Sequence, residues 1–316
     1  MLARIQQSIV ASLVLIAALW ITLTGAYAPS VTVIGLLVLL LGHAGFLALE
    51  FVLAYGVNRH DVAPKAGVLM LARAWLGEAL TAPGVFLWQQ PFRWNAVPDC
   101  LANGSAVSNR RGIVFVHGFA CNRGFWNPWL VRIKQSGQVF SAVSLAPVLG
   151  SIDQYAPVIE AAVQRVTAAT GLSPLLICHS MGGLAVRAWL NASQADQRVH
   201  HVITIGTPHH GTWLGRFSPS ANGRQMRQSS NWLAQLAGLE SPQRRQLFTC
   251  YYSNCDNIVF PASTATLPGA DNRLVPGVAH VALAFNETVM RESLAMARLD
   301  DAGALAHPQC SPHAEQ

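Results

Sequence analysis

The sequence predicts an α/β fold with a mostly parallel central sheet and a small helical cap, preceded by a hairpin of two transmembrane helices. Residues 1–58 contain only two charged residues, Arg4 and Glu50, among long apolar runs. From residue 110 onward, short runs rich in Val, Ile and Leu alternate with helical patterns. Such alternation is typical of a parallel sheet with helices on both faces.

The composition of the 316-residue chain excludes several classes of protein. Hydrophobic residues make up 52% and charged residues 11%, so the chain as a whole is not disordered. Six cysteines without a Cys-x-x-Cys pair argue against a disulfide-built miniprotein and a zinc ribbon. The net charge of +6 comes from scattered basic residues, so no nucleic-acid partner is predicted. A basic chain with long apolar runs fits a membrane surface instead.

Two apolar runs, from Ile9 to Ala26 and from Val31 to Val57, predict the transmembrane hairpin, which we assign to residues 1–58. A helix needs roughly 20 apolar residues to cross about 30 Å of hydrocarbon, and both runs approach or exceed this length. Their connector around Ala28-Pro29-Ser30 is short, so both outer ends should lie on the same side of the bilayer.

Basic residues flank the outer ends of the hairpin: Arg4 precedes it, and Arg59, Lys65 and Arg73 follow it. The connector has none. The positive-inside rule therefore predicts a protein of the bacterial inner membrane with its large domain in the cytoplasm.

A signal peptide is the alternative, because Ala26-Tyr27-Ala28 resembles an A-x-A cleavage site behind an apolar run. Cleavage at Ala28 would leave one spanning helix and place the domain in the periplasm or outside the cell. The cysteines do not decide the matter, since the spacing of Cys250 and Cys255 permits a disulfide bridge without requiring one.

Two polar residues, His43 and Glu50, interrupt the second apolar run. Ionisable groups in a membrane helix can mark a proton or ion pathway. Two helices cannot enclose such a pathway, so we expect His43 to face the partner helix and Glu50 to lie near the interface.

Residues 59–109 are predicted to form a juxtamembrane amphipathic helix, within 66–90, and a polar linker at 103–109. Arg73 and Glu78 fall inside the helical stretch and argue against a third span. The globular domain then covers 110–300, and residues 301–316 form a polar tail.

Strands and helices alternate through the globular domain. Strands are predicted at 112–116, 139–145, 174–178, 199–205 and 247–252, and helices at 127–135, 151–170, 182–190 and 282–296. In sheets of this kind the ligand site lies at the carboxyl ends of the strands, where the motifs described next are found.

A nucleophile motif, Cys178-His179-Ser180-Met181-Gly182-Gly183, lies between a predicted strand and a predicted helix. A Ser on such a sharp turn projects its hydroxyl clear of the sheet, and small neighbours let the strand and the helix approach. The usual pattern is G-x-S-x-G, and Cys178 replaces its first Gly. Because Cys is small, we expect the turn to survive and Ser180 to be a nucleophile.

The base that activates Ser180 is predicted to be His280, on a loop before the last predicted helix. In this arrangement the chain order is Ser, acid, His. Asp256 closely follows the strand that ends near Ser253 and is the predicted acid, whose role is to orient the imidazole. Asp271 is the reserve candidate, although its surroundings also predict a solvated turn.

Two backbone N–H groups are needed to hold the oxyanion of an acyl-transfer intermediate. Met181, directly after the nucleophile, supplies one, and Phe119, after the first strand, supplies the other. His117 is expected to orient that loop rather than to transfer protons.

The motifs Val116–Phe119, Cys178–Gly183, Ile205–Gly211, Asp256–Pro261 and Gly277–His280 together resemble the bacterial triacylglycerol lipase/esterase group of α/β-hydrolases. The resemblance covers roughly residues 112–296 and implies the α/β-hydrolase fold. It further implies Ser180, Asp256 and His280 as a catalytic triad acting on a carboxylic ester. Calcium-dependent members carry an acidic residue where this chain has Ala282, so no calcium, other metal or cofactor is expected.

Residues 212–245 occupy the place where these enzymes insert a cap, and Asn231–Leu236 has a helical apolar pattern. The alternative is a surface helix packed on the domain. Four aromatic residues near the site loops indicate either an apolar pocket or ordinary core: Phe125, Trp126, Trp129 and Trp213.

The predicted function is a membrane-anchored serine hydrolase that cleaves lipid acyl esters through an acyl-enzyme on Ser180. Its partners are then the ester substrate and the bilayer, and the sequence leaves the oligomeric state open. Acyl transfer or polyester cleavage by the same triad is an alternative, as is a catalytically silent membrane scaffold.

Overall fold

The computed structural model describes residues 1–101 and 111–297. The linker predicted at 103–109 and the tail predicted at 301–316 lie outside the described residues. Within the described ranges, a helical hairpin and a third helix precede a domain of alternating strands and helices, as the sequence predicts.

Two long helices form the N-terminal hairpin, α1 (Leu2–Thr24) and α2 (Pro29–Asn58). Pro29 takes the first position of α2, where its missing N–H costs no hydrogen bond. Near the closed end, the indole N–H of Trp20 donates to the carbonyl oxygen of Thr32 over 3.2 Å. Both helices are long and apolar enough to cross a membrane, and their most apolar segments are not buried inside the molecule.

A third helix, α3 (Val68–Pro83), continues as a π-helix (Gly84–Gln89) and a single turn, α4 (Gln90–Phe92). Pro83 has no N–H to donate back along the helix, and the change from α- to π-geometry follows this residue. The inner face of α3 buries Glu78. Its outer face exposes apolar side chains, among them Leu69, Leu76 and Leu80. A helix therefore lies within the predicted 66–90, and its assignment as a juxtamembrane amphipathic helix stays a prediction.

Among the described residues, the central sheet has six parallel strands in the order β2-β1-β3-β4-β5-β6. They are β1 (Ile113–Val116), β2 (Phe140–Ala142), β3 (Leu175–His179), β4 (His201–Ile205), β5 (Phe248–Tyr252) and β6 (Asp271–Leu274). The strand order reverses between β1 and β3, and such a switch point is where open α/β sheets bind their ligands.

Eight helices of the described domain connect or flank these strands. They are α5 (Asn127–Gln135), α6 (Ala156–Thr170), α7 (Met181–Ser193), α8 (Ala221–Gln225), α9 (Asn231–Gly238), α10 (Pro242–Gln246), α11 (His280–Ala284) and α12 (Glu287–Met296). The single helix predicted at 282–296 is in fact two helices, because the Asn286 side chain accepts hydrogen bonds from Thr288 N and Val289 N and so begins α12.

The strand β6 was not among the predicted elements, and it corrects the interpretation of Asp271 as part of a solvated turn. Its sequence, Asp-Asn-Arg-Leu, has none of the apolar run that identifies a buried strand. β6 lies at the edge of the sheet, where one side is free of other strands and polar side chains are tolerated.

Phe125, Trp126 and Trp129 are completely buried against the sheet and pack in one of its two apolar layers. They therefore serve as core. Cys250 and Cys255 are both buried and free, so the bridge that their spacing permits is not formed.

Residues 212–245 pack on the domain beside α7. Leu233 and Leu236 of α9 are buried in the same apolar layer as Trp189 of α7. Beneath them, the Arg187 guanidinium donates to both carboxylate oxygens of Glu240, at 2.7 and 2.8 Å. The helix α9 is therefore packed on the domain, as in the alternative to a cap that was given for this segment.

Candidate active site

Ser180 lies on a sharp turn between β3 and α7, at the switch point of the sheet. Its backbone has φ 54° and ψ −129°, a conformation that costs a non-glycine residue about 1–3 kcal/mol. The turn is held on both sides, since Ser180 N donates to Ile205 O at 2.9 Å and Thr207 Oγ1 donates to Ser180 O at 2.8 Å. The strained turn therefore has the geometry of a nucleophile elbow.

Two glycines after Ser180 allow α7 to approach the sheet. A Cβ on Gly182 would lie 2.7 Å from His117 O, and one on Gly183 would lie 2.9 Å from Thr204 Cγ2. Both distances are too short for a side chain to be accommodated. Cys178, which replaces the first Gly of the motif, is a fully buried strand residue, and the turn forms around it.

His280 and Asp256 form a buried pair, with 2.9 Å between His280 Nδ1 and Asp256 Oδ2. The other carboxylate oxygen of Asp256 accepts from Ile258 N at 2.9 Å and from Val259 N at 2.7 Å. Since an ionised carboxylate only accepts, Nδ1 of His280 carries the proton. The Nε2 atom then has a free lone pair with which to accept a proton.

The charge balance around His280 favours its protonated form. Burial lowers the pKa of His280, but the carboxylate of Asp256 raises it by charge and by hydrogen bonding, and Glu78 raises it further. The net direction is upward from the ordinary value. A histidine so placed is a stronger base than a free one.

Gly206 was not predicted as part of the site, and its φ of +59° brings the chain against the His280–Asp256 pair. A Cβ at this position would lie 3.1 Å from Asp256 Oδ2 and 3.2 Å from His280 Nδ1. The signal in the sequence is a glycine directly after a buried strand. Because Gly206 has no side chain, the backbone can approach the His280–Asp256 pair this closely.

The loop after β1 lies against Ser180, since a Cβ on Gly118 would be 3.3 Å from Ser180 Oγ. His117 holds this loop, because its Nδ1 donates to Gly118 O at 2.9 Å while its Nε2 accepts from Leu145 N at 3.0 Å. Burial lowers the pKa of His117 to about 4, so it stays neutral and keeps this tautomer. Such bonding suits an orienting residue and leaves no nitrogen for proton transfer.

Other acidic residues and histidines between Ser180 and His280 have partners elsewhere. Asp196 pairs with Arg244, Glu240 with Arg187 and Asp271 with Arg273. His209 contacts Thr204 and Arg187, and His201 contacts Thr249. Asp256 and His280, by contrast, pair with each other, and His280 shares a cavity with Ser180.

The sequence did not predict the role of Glu78, a fully buried residue of α3. Its two carboxylate oxygens accept from Val281 N at 2.9 Å and from Ala282 N at 3.0 Å, at the beginning of α11. Burial raises the pKa of Glu78, and these two hydrogen bonds oppose the rise. The helix α3 thereby holds the short helix that begins with His280.

Glu50 of α2 reaches the same region, through a contact with the domain that the sequence did not predict. Its carboxylate accepts from Asn257 Nδ2 at 2.7 Å, and Asn257 Oδ1 accepts from His280 N at 3.2 Å. His43 also differs from expectation, because its Nε2 lies 3.0 Å from Ala79 O of α3 rather than against α1. An ionisable residue inside an apolar helix was the available signal for both contacts.

His179, just before the nucleophile, packs between two rings. It stacks on Phe125 with ring centroids 4.6 Å apart, and its centroid is also 4.6 Å from that of His280. His179 Nε2 lies 3.2 Å from His280 O, and burial holds the pKa of His179 well below its usual range. A neutral, stacked imidazole supports His280 from the side of the core.

A cavity of about 400 Å³ contains Ser180 and His280. Phe119 lines it beside them, and Glu50 and Glu78 line it from the N-terminal helices. Its remaining lining residues are His43, Phe46, Leu47, Ala82, Pro83, Phe86, Leu87, Gly118, Ala120, Cys121, His179, Asn257, Ile258 and Val281. None of these lies within 212–245, so the wall over the site comes from α2, α3 and the π-helix rather than from the predicted cap segment.

Comparison with solved structures identifies the fold. The chain is similar to a lipase of Bacillus licheniformis in its mature form, with a TM-score of 0.55 and 17% identity over 63% of this chain and 96% of that one. It is also similar to lipase B of Aspergillus fumigatus, with a TM-score of 0.52 and 18% identity over 62% of this chain and 55% of that one, so the match spans about half of that lipase.

No protein-family model matches the chain, and no curated protein matches it significantly. At such low identity the likeness to solved structures establishes the fold alone. The chain has the α/β-hydrolase fold, as the order of its motifs implies.

Proposed function

We propose that this chain is a membrane-anchored serine hydrolase that cleaves carboxylic esters of lipids. The observation that carries the proposal is the buried 2.9 Å pair of His280 and Asp256, which shares one apolar cavity with a strained Ser180 turn. Structural neighbours that are lipases support an ester hydrolase at the coarser level.

In the proposed mechanism, Ser180 Oγ attacks the acyl carbonyl while Nε2 of His280 takes its proton. Backbone N–H groups of Phe119 and Met181 hold the oxyanion, and each such donor lowers the barrier by about 2.7–4 kcal/mol in hydrolases of this type. The imidazolium, stabilised by Asp256, then gives its proton to the departing alcohol. Water attacks the acyl-enzyme with His280 as base, which releases the carboxylic acid and restores Ser180.

The N-terminal hairpin supports a lipid substrate, because it would hold the site beside a bilayer. The distribution of basic residues favours the cytoplasmic side of the inner membrane. Contacts of α1 support an uncleaved hairpin: Gln6 is buried, and Gln7 Nε2 donates to Pro91 O at 2.7 Å. Cleavage at Ala28 would remove both contacts.

The test is hydrolysis of p-nitrophenyl esters of graded chain length by the full-length protein in detergent. Ser180→Ala should abolish hydrolysis, whereas Ser173→Ala, a partly exposed serine remote from the site, should retain it. Long-chain esters should be preferred. Hydrolysis that survives in Ser180→Ala would refute the mechanism, and a clear preference for acetate would refute the lipid substrate.

A further inference from the structure

The outer wall of the cavity belongs to the N-terminal helices, outside the domain that carries Ser180 and His280. Phe46 and Leu47 of α2 form one part of this wall. Phe86 and Leu87 of the π-helix form another, next to Ala82 of α3. The helices of the proposed membrane anchor and its continuation therefore form part of the wall of the cavity.

The polar residues of this wall are already engaged with the catalytic domain. Glu50 is bonded to Asn257, and Glu78 is bonded to the backbone of Val281 and Ala282. Apart from His43, the rest of the wall is hydrocarbon. A cavity of about 400 Å³ is within the roughly 300–1,000 Å³ that ligand sites occupy. Its apolar part suits an acyl chain whose ester group lies at Ser180.

The rim of the cavity is apolar and exposed. Phe46 is 64% exposed and Leu87 is 42% exposed, although both line the cavity. Leu40, further back along α2, is 68% exposed, and Leu80, on α3 before the π-helix, is 74% exposed. Apolar surface thus continues from the cavity onto the outer faces of α2 and α3, interrupted among the lining residues of α2 by exposed His43, whose Nε2 lies 3.0 Å from Ala79 O.

The position of the rim along α2 places it at the edge of the bilayer. A helix rises 1.5 Å per residue, so roughly 20 residues counted from Pro29 cross about 30 Å of hydrocarbon. That span ends close to Phe46 and Leu47, two residues that line the cavity. The rim would therefore lie where the acyl chains of one leaflet meet the headgroups.

We infer that the acyl chain of the substrate enters the cavity directly from the bilayer, between α2 and the π-helix, and that Leu47 and Leu87 set the chain length accepted. This inference rests on the proposed function and adds a route of entry and two specificity-determining residues. In it the anchoring helices supply the acyl site, so the enzyme selects among membrane lipids with residues that belong to its anchor.

The experiment narrows the cavity with Leu47→Trp and Leu87→Trp in the full-length protein, reconstituted in phosphatidylcholine vesicles. The controls are Leu40→Trp, on α2 like Leu47, and Leu80→Trp, on α3 before the π-helix that carries Leu87; both residues lie outside the cavity lining. The substrates are p-nitrophenyl esters from acetate to palmitate and dipalmitoylglycerol in the vesicle membrane. Labelling of Ser180 by a short-chain fluorophosphonate measures correct folding independently.

We expect both lining variants to lose about tenfold or more in kcat/KM for palmitoyl substrates, the usual effect of a few methylenes that no longer fit a pocket. The loss should grow with acyl length and be smallest for acetate, the lining variants should still be labelled at Ser180, and both controls should match the unmodified protein. An unchanged chain-length profile in labelled lining variants would overturn the inference while leaving the proposed function standing. Absence of labelling and of hydrolysis in the unmodified protein would instead overturn the proposed function.

Discussion

His280 is fixed by three contacts from two segments, the loop after β5 and the end of β3. Asp256 bonds its Nδ1, Asn257 accepts from its backbone N–H, and His179 packs against its ring. Because imidazole must present Nε2 to the nucleophile in one tautomer, these contacts restrict both the rotation and the protonation of the ring. The role of each contact is open to test by substitution.

The first prediction concerns the carboxylate. Asp256→Asn keeps the shape of the side chain but no longer stabilises the imidazolium, and its amide favours the wrong tautomer of His280. We expect kcat to fall by about 10⁴-fold, as for triad carboxylates in general. Asp271→Asn, at the exposed reserve candidate, is the control and should stay within about twofold. Equal losses in the two variants in steady-state kinetics would contradict the assignment of Asp256.

The second prediction concerns pH. His280 acts as a base only when neutral, and its pKa is raised above the ordinary value of about 6.5. Therefore kcat/KM should rise with pH, reach half its maximum above about pH 6.5, and be lost as pH falls. Glu78→Gln removes one of the charges that raise this pKa, so its midpoint should move to lower pH.

Glu287→Gln is the control for this profile, since Glu287 is exposed and pairs with Arg132 on the surface. Its midpoint should equal that of the unmodified protein. If Glu78→Gln and Glu287→Gln gave the same midpoint, the electrostatic link between α3 and His280 would be wrong, whatever the effect on stability.

Among the elements, the apolar strands were the most predictable. β1, β3, β4 and β5 are uninterrupted buried runs, and their predicted bounds differ from the observed ones by one or two residues at most. β6 escaped prediction because an edge strand can be polar. Ser180, Asp256 and His280 could be proposed from strand ends and chain order, because parallel strands bring those ends to one edge.

The wall of the cavity could not be predicted, because a membrane helix is apolar on all faces and its pattern does not reveal which face docks on a domain. The contact depends on single polar residues such as Glu50 and Glu78, whose partners, Asn257 and the beginning of α11, are about 200 residues away in the chain. The segment at 212–245, predicted to be a cap, contributes no residue to the lining of the cavity.

The third prediction tests the close contact of α7 with the sheet. Gly182→Ala places a methyl group against the carbonyl oxygens of Val116 and His117, backbone atoms that cannot move aside. Overpacking of this kind typically costs about 1–3 kcal/mol. We expect a clearly lower melting temperature and reduced activity. Gly238→Ala, where a Cβ would meet open space at the end of α9, should leave both unchanged; equal stability of the two variants would contradict the packing described.

At the scale of the whole molecule, the hairpin is joined to the globular domain by buried and hydrogen-bonded contacts. Phe51 and Ala54 of α2 are buried, and Asn58 Oδ1 accepts from Ala262 N at 2.9 Å. α1 adds the hydrogen bond from Gln7 to Pro91. An anchor that served only to tether would need none of these contacts.

The fourth prediction follows for the mature protein. An epitope tag placed before residue 1 should remain on the membrane-bound chain, because α1 is part of the folded molecule. The tag should resist protease added to intact spheroplasts and become sensitive after lysis, as a cytoplasmic N-terminus requires. Loss of the tag, with a mature chain that begins after Ala28, would support the signal-peptide alternative.

The central claim is that Ser180, His280 and Asp256 act together as one nucleophilic centre, and adduct mapping tests it most directly. The full-length protein is treated with a fluorophosphonate, digested and analysed by peptide mass spectrometry. The account predicts one phosphonyl adduct, on Ser180, that forms far more slowly in His280→Gln. An adduct on a different residue, or labelling of Ser180 at the same rate without His280, would contradict it.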